Sequence, residues 1–403
     1  MSAYQPPAFH QLTPAAEINR RLDEAQAGLM KHGFDAALII QPVDLFYFTG
    51  TMQSGHLLLP ARGDPLLMVR RDLDRAQVES PVPAVGLASL AELARLVNDR
   101  LGAEPGRLGL ELDVLPVKSF KRYQELWPRA EFTDVSPLIL EQRAVKSEYE
   151  AACLRRAGEL SRRVYAAVPG FLRPGLTEIE AAGLMTKAAY QAGHQNYLRT
   201  RGFDQAMYSW HVISGPSGGI PSFIDAAFGG YGLSPAFPAG ASLKTIAPGE
   251  PVLIDFGLCL DGYQVDLTRM FSIGPPPGLI TEAYEALAEI EVEMSRRLRP
   301  GQTGHDLYYL AVARAEKLGF GHAFLGPPER KARFAGHGVG LEISDPPLLA
   351  PGFNTPLLAG MVVALELKMV FPGLAAVGLE NTFRIGNGEP EKLTLADDRL
   401  IVI

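Results

Sequence analysis

The stretch "VLIDFGLCLDGYQVDLTRMF", Val252 to Phe271, sets Asp255 and Asp266 in two apolar runs on either side of Asp261-Gly262. An Asp-Gly pair between apolar runs is a two-residue hairpin signal. In that register Leu260 faces Tyr263 and Asp255 faces Thr268. Asp266 is then the diagonal same-face neighbour of Asp255, with side-chain bases roughly 7–8 Å apart. Buried carboxylates are costly unless a cation, a proton or a donor compensates them. The hairpin therefore calls for a metal, an arginine partner or exposure to solvent, and Arg269 is available to pair with Asp266.

Working outward, the chain of 403 residues exceeds the usual size of one hydrophobic core, so two domains are expected. A net charge of -7 argues against a nucleic-acid or anionic-membrane surface, either of which needs clustered Lys and Arg. Cys153 and Cys259 are the two cysteines, and they form neither a disulfide framework nor a zinc spacing. The N-terminus lacks the pattern of a secretory leader, and no run of about 18 apolar residues occurs. The reading is a soluble, cytoplasmic protein acting on a small molecule.

Residues 1–143 alternate helical segments with the apolar runs "AALII", "LFYFTG", "PLLMVR" and "RLGLEL", which predicts a small α/β domain. No phosphate-binding Gly motif opens its helices, so no nucleotide site is expected there. Residues 144–403 form the second domain. Ser147 with Glu150 and Thr177 with Glu180 have capping-box spacing, and Gly193 is a helix stop. Strands at "MYSWHVISG", "PVLIDFGL" and "GYQVDLTRMF" follow. A second helix pair, near Thr281–Leu298 and Gly304–Leu318, leads to strands at "GVGLEI", "GMVVALELKMVF" and "GLAAVGLENTFRI". Helix pair, hairpin, helix pair, hairpin suggests a duplicated unit. Residues 215–241 make a long Gly/Pro-rich segment of the kind that often serves function, as a lid for example.

The later hairpin carries Glu366 before "FPG" and Glu380 after it. With a three-residue loop, Pro372 to Leu374, these glutamates oppose each other on one face; with a two-residue loop they do not. His337 in "AGHGVGLEIS" completes a set of two Asp, two Glu and one His. Oxygen-rich sites with one imidazole suit Mn, Co, Fe or Zn, and ions about 3.5–4 Å apart can activate a bridging hydroxide.

The segments "LIDFGLCLDGYQVDLTRMF", "GHGVGLEI", "ALELKM" and "GLENTF" resemble the metal-binding segments of the pita-bread metallopeptidases, the family of aminopeptidase P, prolidase and their relative creatinase. In the two peptidases the ligands run Asp, Asp, His, Glu, Glu with ten residues between the aspartates. Asp255, Asp266, His337, Glu366 and Glu380 match each one. The first half, with "NRRLDEAQAGLMKHGFDAALIIQPVDLFYFTG", resembles the family's accessory domain, so the likeness covers nearly the whole chain. It implies an N-terminal creatinase-like α/β domain with a mixed sheet and a C-terminal pita-bread domain. It further implies a homodimer, two divalent ions, Mn foremost with Co or Zn as alternatives, and hydrolysis of an amide in a small peptide, often one preceding proline. Glu366 is the ligand expected to shuttle the proton.

The likeness also has gaps. Three histidines that bind substrate in the peptidases are replaced, by Ser222, Arg333 and Ser344, and an arginine two residues before the last ligand is replaced by Gly378. Losing one donor to a developing oxyanion costs roughly 10²–10³ in rate. Arg333 can supply fixed charge, and Ser222 and Ser344 can donate hydrogen bonds. His211 is a further candidate for the pocket, and Arg199 and Arg201 are candidate carboxylate clamps. Two readings follow: a metallohydrolase with re-specified recognition, or a catalytically silent metal- or ligand-binding relative. Creatinase-like hydrolysis without metal is a third and weaker one, because Ser222 stands where its catalytic histidine is expected.

Overall fold

A computed structural model describes residues 4–195, 197–202 and 211–403. The described chain divides into two compact units, one of residues 4–143 with Gly202, the other of the rest.

The first unit runs α1 (Ala15–Lys31), β1 (Ala36–Ile39), α2 (Pro42–Thr49), β2 (Gly55–Pro60), β3 (Leu66–Val69), α3 (Leu73–Glu79), β4 (Ala84–Gly86), α4 (Leu90–Leu101), β5 (Arg107–Leu110), α5 (Val117–Leu126), β6 (Glu131–Asp134) and α6 (Ser136–Ala144). Its six strands form a mixed sheet in the order β4-β3-β2-β1-β5-β6. Leu38, Leu58, Met68, Leu108 and Trp127 are buried in one cluster around it. The apolar run Leu45–Gly50 does not continue the extended pattern; it lies in α2. Pro42 in the first turn, the Gln41 side chain accepting the Asp44 N–H, and Gly50 at φ +77° supply start and stop signals that apolarity alone conceals.

The second unit opens with α7 (Glu148–Ala166) and α8 (Glu178–Ala192), each begun by a complete capping box, with Gly193 in the left-handed conformation closing α8. Then come β7 (His211–Ser214), β8 (Pro251–Asp255), β9 (Leu258–Leu260), β10 (Tyr263–Val265) and β11 (Thr268–Ser272). Helices α9 (Gly278–Arg297) and α10 (Gly304–Lys317) precede β12 (Gly336–Gly338), β13 (Asp345–Leu349), β14 (Val362–Phe371), β15 (Ala375–Arg384), β16 (Glu391–Lys392) and β17 (Ile401–Val402). The main path is antiparallel, in the order β13-β12-β14-β15-β11-β8-β7, with β16 on β15 and β17 on β11. The repeated helix pair and hairpin are thus present as element order.

Along β14 the side chains alternate between two environments. Val363, Leu365, Leu367 and Met369 join a core that includes Ile280, Leu287, Ile290 and Met294 of α9. Glu366 and Lys368 fall on the other parity.

Two strand expectations need correction. The aspartate hairpin is not one ladder: β8 pairs β11, while β9 and β10 form a separate two-stranded sheet across the Asp261-Gly262 turn. At the break, a Cβ on Gly257 would meet Ile343 Cδ1 at 2.7 Å. On the return strand the Asp266 N–H is taken by the Thr382 hydroxyl. The "GVGLEI" segment is strand only over β12, after which the chain bends until β13.

Candidate metal centre

Adjacent strands carry the five sequence-predicted donors. Asp255 ends β8, Asp266 lies two residues before β11, His337 is central in β12, Glu366 is in β14 and Glu380 in β15. The β14–β15 loop is Pro372 to Leu374, and Glu366 pairs directly with Glu380. Asp255 pairs with Thr268, which pairs in turn with Glu380. Two triads result, Asp266/His337/Glu380 and Asp255/Glu366/Glu380, each with ligating atoms within 4.8 Å of one another.

His337 Nε2 lies 3.6 Å from Glu366 Oε2 and 3.8 Å from Asp266 Oδ2, while its Nδ1 is 3.2 Å from the Gly338 carbonyl oxygen. An Nδ1–H donated to that carbonyl fixes the tautomer with Nε2 free to ligate. Asp266 is held by its backbone: the Thr382 hydroxyl accepts the Asp266 N–H and donates to its carbonyl, both at 2.9 Å.

The arginine alternative for the aspartates does not hold. Buried Arg269 donates to the carbonyls of Thr268, Glu380, Ala396 and Asp397 and to the side chains of Asn381 and Asp398. It ties the C-terminal segment to β11 and β15 instead.

The cation among the carboxylates is one the sequence reading missed. Lys368, wholly buried, places Nζ 2.8 Å from Glu380 Oε2, 3.5 Å from Asp255 Oδ2 and 3.7 Å from Glu366 Oε1. Its fourth partner is Thr268 Oγ1 at 2.6 Å, and Thr268 in turn donates to Glu380 Oε2. The available signal was spacing: two residues past Glu366 on a strand is the same face.

One ammonium does not neutralise four carboxylates. Burial, then Glu380, Asp255 and Glu366, push the Asp266 carboxyl well above its ordinary range. Burial pushes Glu366 up to about 8 against the opposing pull of Lys368, with Glu380 and Asp255 adding to the rise. Burial alone would lower the Lys368 ammonium, but Asp255, Glu380 and Glu366 raise it above the usual lysine range. Glu380 Oε1 is buried with no hydrogen-bond partner among the described residues. A buried carboxylate oxygen left without a donor, beside an aspartate and an imidazole, is what a divalent cation would satisfy.

The other predicted residues are dispersed. His211 pairs with Asp255 across β7–β8, and burial lowers its imidazole, partly offset by Asp255. Arg333 is 84% exposed and bonded to Asp225 at 2.9 Å within the Gly/Pro-rich segment. The Ser222 hydroxyl accepts the Ile224 N–H, and Ser344 is exposed. Arg201 is half-buried, 4.0 Å from Glu342, and Arg199 lies over the Tyr197 ring. Cys259 is a buried thiol pushed up to about 12 by burial. His194 is also buried and accepts the Cys259 N–H at 2.9 Å, a structural role.

Residues 152–387 match the model of metallopeptidase family M24, which is more than half of the chain. The chain belongs to metallopeptidase family M24. Residues 21–145 match the creatinase/prolidase N-terminal domain. An Xaa-Pro dipeptidase of Pyrococcus furiosus is 25% identical over 388 residues, covering 95% of this chain and 100% of the relative. Among solved structures, an Xaa-Pro dipeptidase from Bacillus anthracis superposes with a TM-score of 0.82 at 24% identity, covering 96% of this chain and 100% of that one. A prolidase from Pyrococcus horikoshii does so with a TM-score of 0.80 at 24% identity, covering 95% and 100%. This M24 chain is accordingly a metallopeptidase-type hydrolase of two domains with the pita-bread fold. Among the described residues, no helix is long and apolar enough to cross a membrane.

Proposed function

We propose that this chain hydrolyses an amide bond in a small peptide or peptide-like substrate, using divalent metal held by Asp255, Asp266, His337, Glu366 and Glu380. The observation that carries the reading is the partnerless buried oxygen of Glu380 beside Asp266 and His337. A divalent ion bound there supplies Lewis acidity toward the scissile carbonyl and lowers the pKa of water. In a two-ion form of the reading the groups Asp266/His337/Glu380 and Asp255/Glu366/Glu380 would hold the ions, and Mn is the first metal to try.

Within that chemistry Glu366 is the proton carrier. In the metal-free centre burial raises its carboxyl group to about 8, and when a divalent ion is bound it is the ligand carboxylate assigned to take the proton of water. It accepts the proton of the attacking water and returns it to the departing amine. His211, across from Asp255, is the imidazole best placed to meet a substrate on the β7 side. The resemblance to Xaa-Pro dipeptidases makes Xaa-Pro dipeptides the first substrates to test.

A second reading, a relative that binds metal without turnover, draws support from Arg333 and Ser344. Both are exposed, and neither supplies the imidazole that the family's peptidases use at that point. The deciding experiment is hydrolysis of a panel of Xaa-Pro dipeptides and cyclic amides by Mn-loaded protein. Turnover that vanishes on chelation and in Glu366→Ala supports the hydrolase. Metal uptake with no turnover across the panel supports the silent relative, and turnover that survives chelation overturns both.

A further inference from the structure

We propose that Lys368 is a permanent cation of the centre, standing in for a second metal ion among Asp255, Glu366 and Glu380, so that the chain binds one divalent ion, on the side of Asp266 and His337. The inference rests on the metal-centre reading above and departs from its two-ion form.

The carboxylate oxygens are already divided between two positions. Glu380 gives Oε2 to Lys368 Nζ and the Thr268 hydroxyl, and leaves Oε1 without a partner. Glu366 sets Oε1 3.7 Å from Nζ and Oε2 3.6 Å from His337 Nε2. Glu366 thus turns one oxygen to the lysine and the other to the imidazole, while Glu380 turns one to the lysine and leaves the other open. An ion bound by the lysine-facing oxygens needs ligand distances of about 2.0–2.2 Å. It would then lie within contact distance of the ammonium, cation against cation.

The lysine has nowhere else to go. Its side chain has no solvent exposure, and Thr268 Oγ1 holds Nζ at 2.6 Å. The space for its stem is built in: it pairs across the ladder with Gly378, where a Cβ would come within 2.8 Å of Lys368 Cδ. Withdrawal would leave a buried ammonium without its counter-charges.

The test counts metal directly. Full-length protein is loaded with Mn, dialysed free of loose ions and measured by mass spectrometry as wild type and as Lys368→Met. One ion in the wild type and two in Lys368→Met is the expected result. If Lys368→Met does not fold, Asp255→Asn and Asp266→Asn decide the matter with the lysine in place: the first keeps the single ion and the second loses it. Two ions in the wild type overturn the inference and leave the metal-centre reading intact. One ion in both wild type and Lys368→Met, or an ion lost in Asp255→Asn but kept in Asp266→Asn, also overturns it. No ion in any of the proteins overturns both the inference and the reading beneath it.

Discussion

Lys368 and Gly378 stand opposite each other in the β14–β15 ladder, and the glycine leaves the volume that the lysine stem fills. A Cβ at 378 would lie 2.8 Å from Lys368 Cδ, 2.9 Å from Thr268 Cγ2 and 3.0 Å from Leu253 Cδ1. All three neighbours are buried, so none has open space to retreat into. Gly378→Ala is therefore expected to lower stability by about 1–3 kcal/mol through overpacking. Urea denaturation of the metal-free protein measures it. A midpoint unchanged from wild type would mean that the ladder opens easily and that the glycine is not what seats the lysine.

Glu366→Gln keeps the shape of the side chain and removes its ability to take a proton. Asp266, His337 and Glu380 remain as a triad. Hydrolysis of a responsive substrate should fall roughly 10²–10⁴-fold in kcat, the usual contribution of a general base, while bound metal persists. Metal content measured beside kcat separates the two effects. Loss of both together would assign Glu366 to holding the ion and leave proton transfer to another group.

How far the centre was legible in the sequence differs residue by residue. The opposition of Glu366 and Glu380 was readable only conditionally, because strand alternation brings them together with a three-residue loop and not with a two-residue one, and the ladder shows the three-residue case. Asp255 opposite Thr268 followed from the Asp-Gly turn in the same way. The split of that hairpin into two sheets was not legible, because it depends on the Thr382 hydroxyl, 116 residues away, taking the Asp266 amide. Lys368 escaped because a lysine in a strand is ordinarily solvated, and its burial depends on the absence of a side chain at 378. The helix at Pro42–Thr49 was hidden by its apolar composition, although its cap residues were in plain view.

Arg269 was a candidate partner for Asp266 and serves elsewhere, which makes its removal a test of architecture. Its guanidinium joins β11, β15 and residues Ala396 to Asp398 through six hydrogen bonds of 2.7–3.1 Å. Arg269→Met takes the guanidinium donors from the carbonyls of Thr268, Glu380, Ala396 and Asp397 and is expected to cost ~1–3 kcal/mol, the usual penalty for a buried polar group that loses its partner. Hydrogen exchange should report it locally, with lost protection at Leu395 and Ala396, whose amides bond to the Ser161 hydroxyl. Unchanged protection there would place the anchor of this segment in the Ser161 contacts alone.

The first unit carries its own acid sensitivity. His56 on β2 is buried, and its Nε2 lies 2.8 Å from the Tyr123 hydroxyl. Burial, with a smaller push from Arg70, lowers its pKa from 6.5 to about 4. Below pH 6.5 the unfolded chain binds a proton that the folded one refuses, so stability falls as pH drops from 6.5 toward 4. A difference of that size corresponds to ~3 kcal/mol. His56→Gln removes the titrating group, so the free-energy gap between wild type and variant should shift by ~3 kcal/mol in the variant's favour between pH 7 and pH 4. Denaturant titrations of both proteins across that range provide the measurement. A gap independent of pH would mean that the imidazole is protonated in the folded protein and that its surroundings admit the charge.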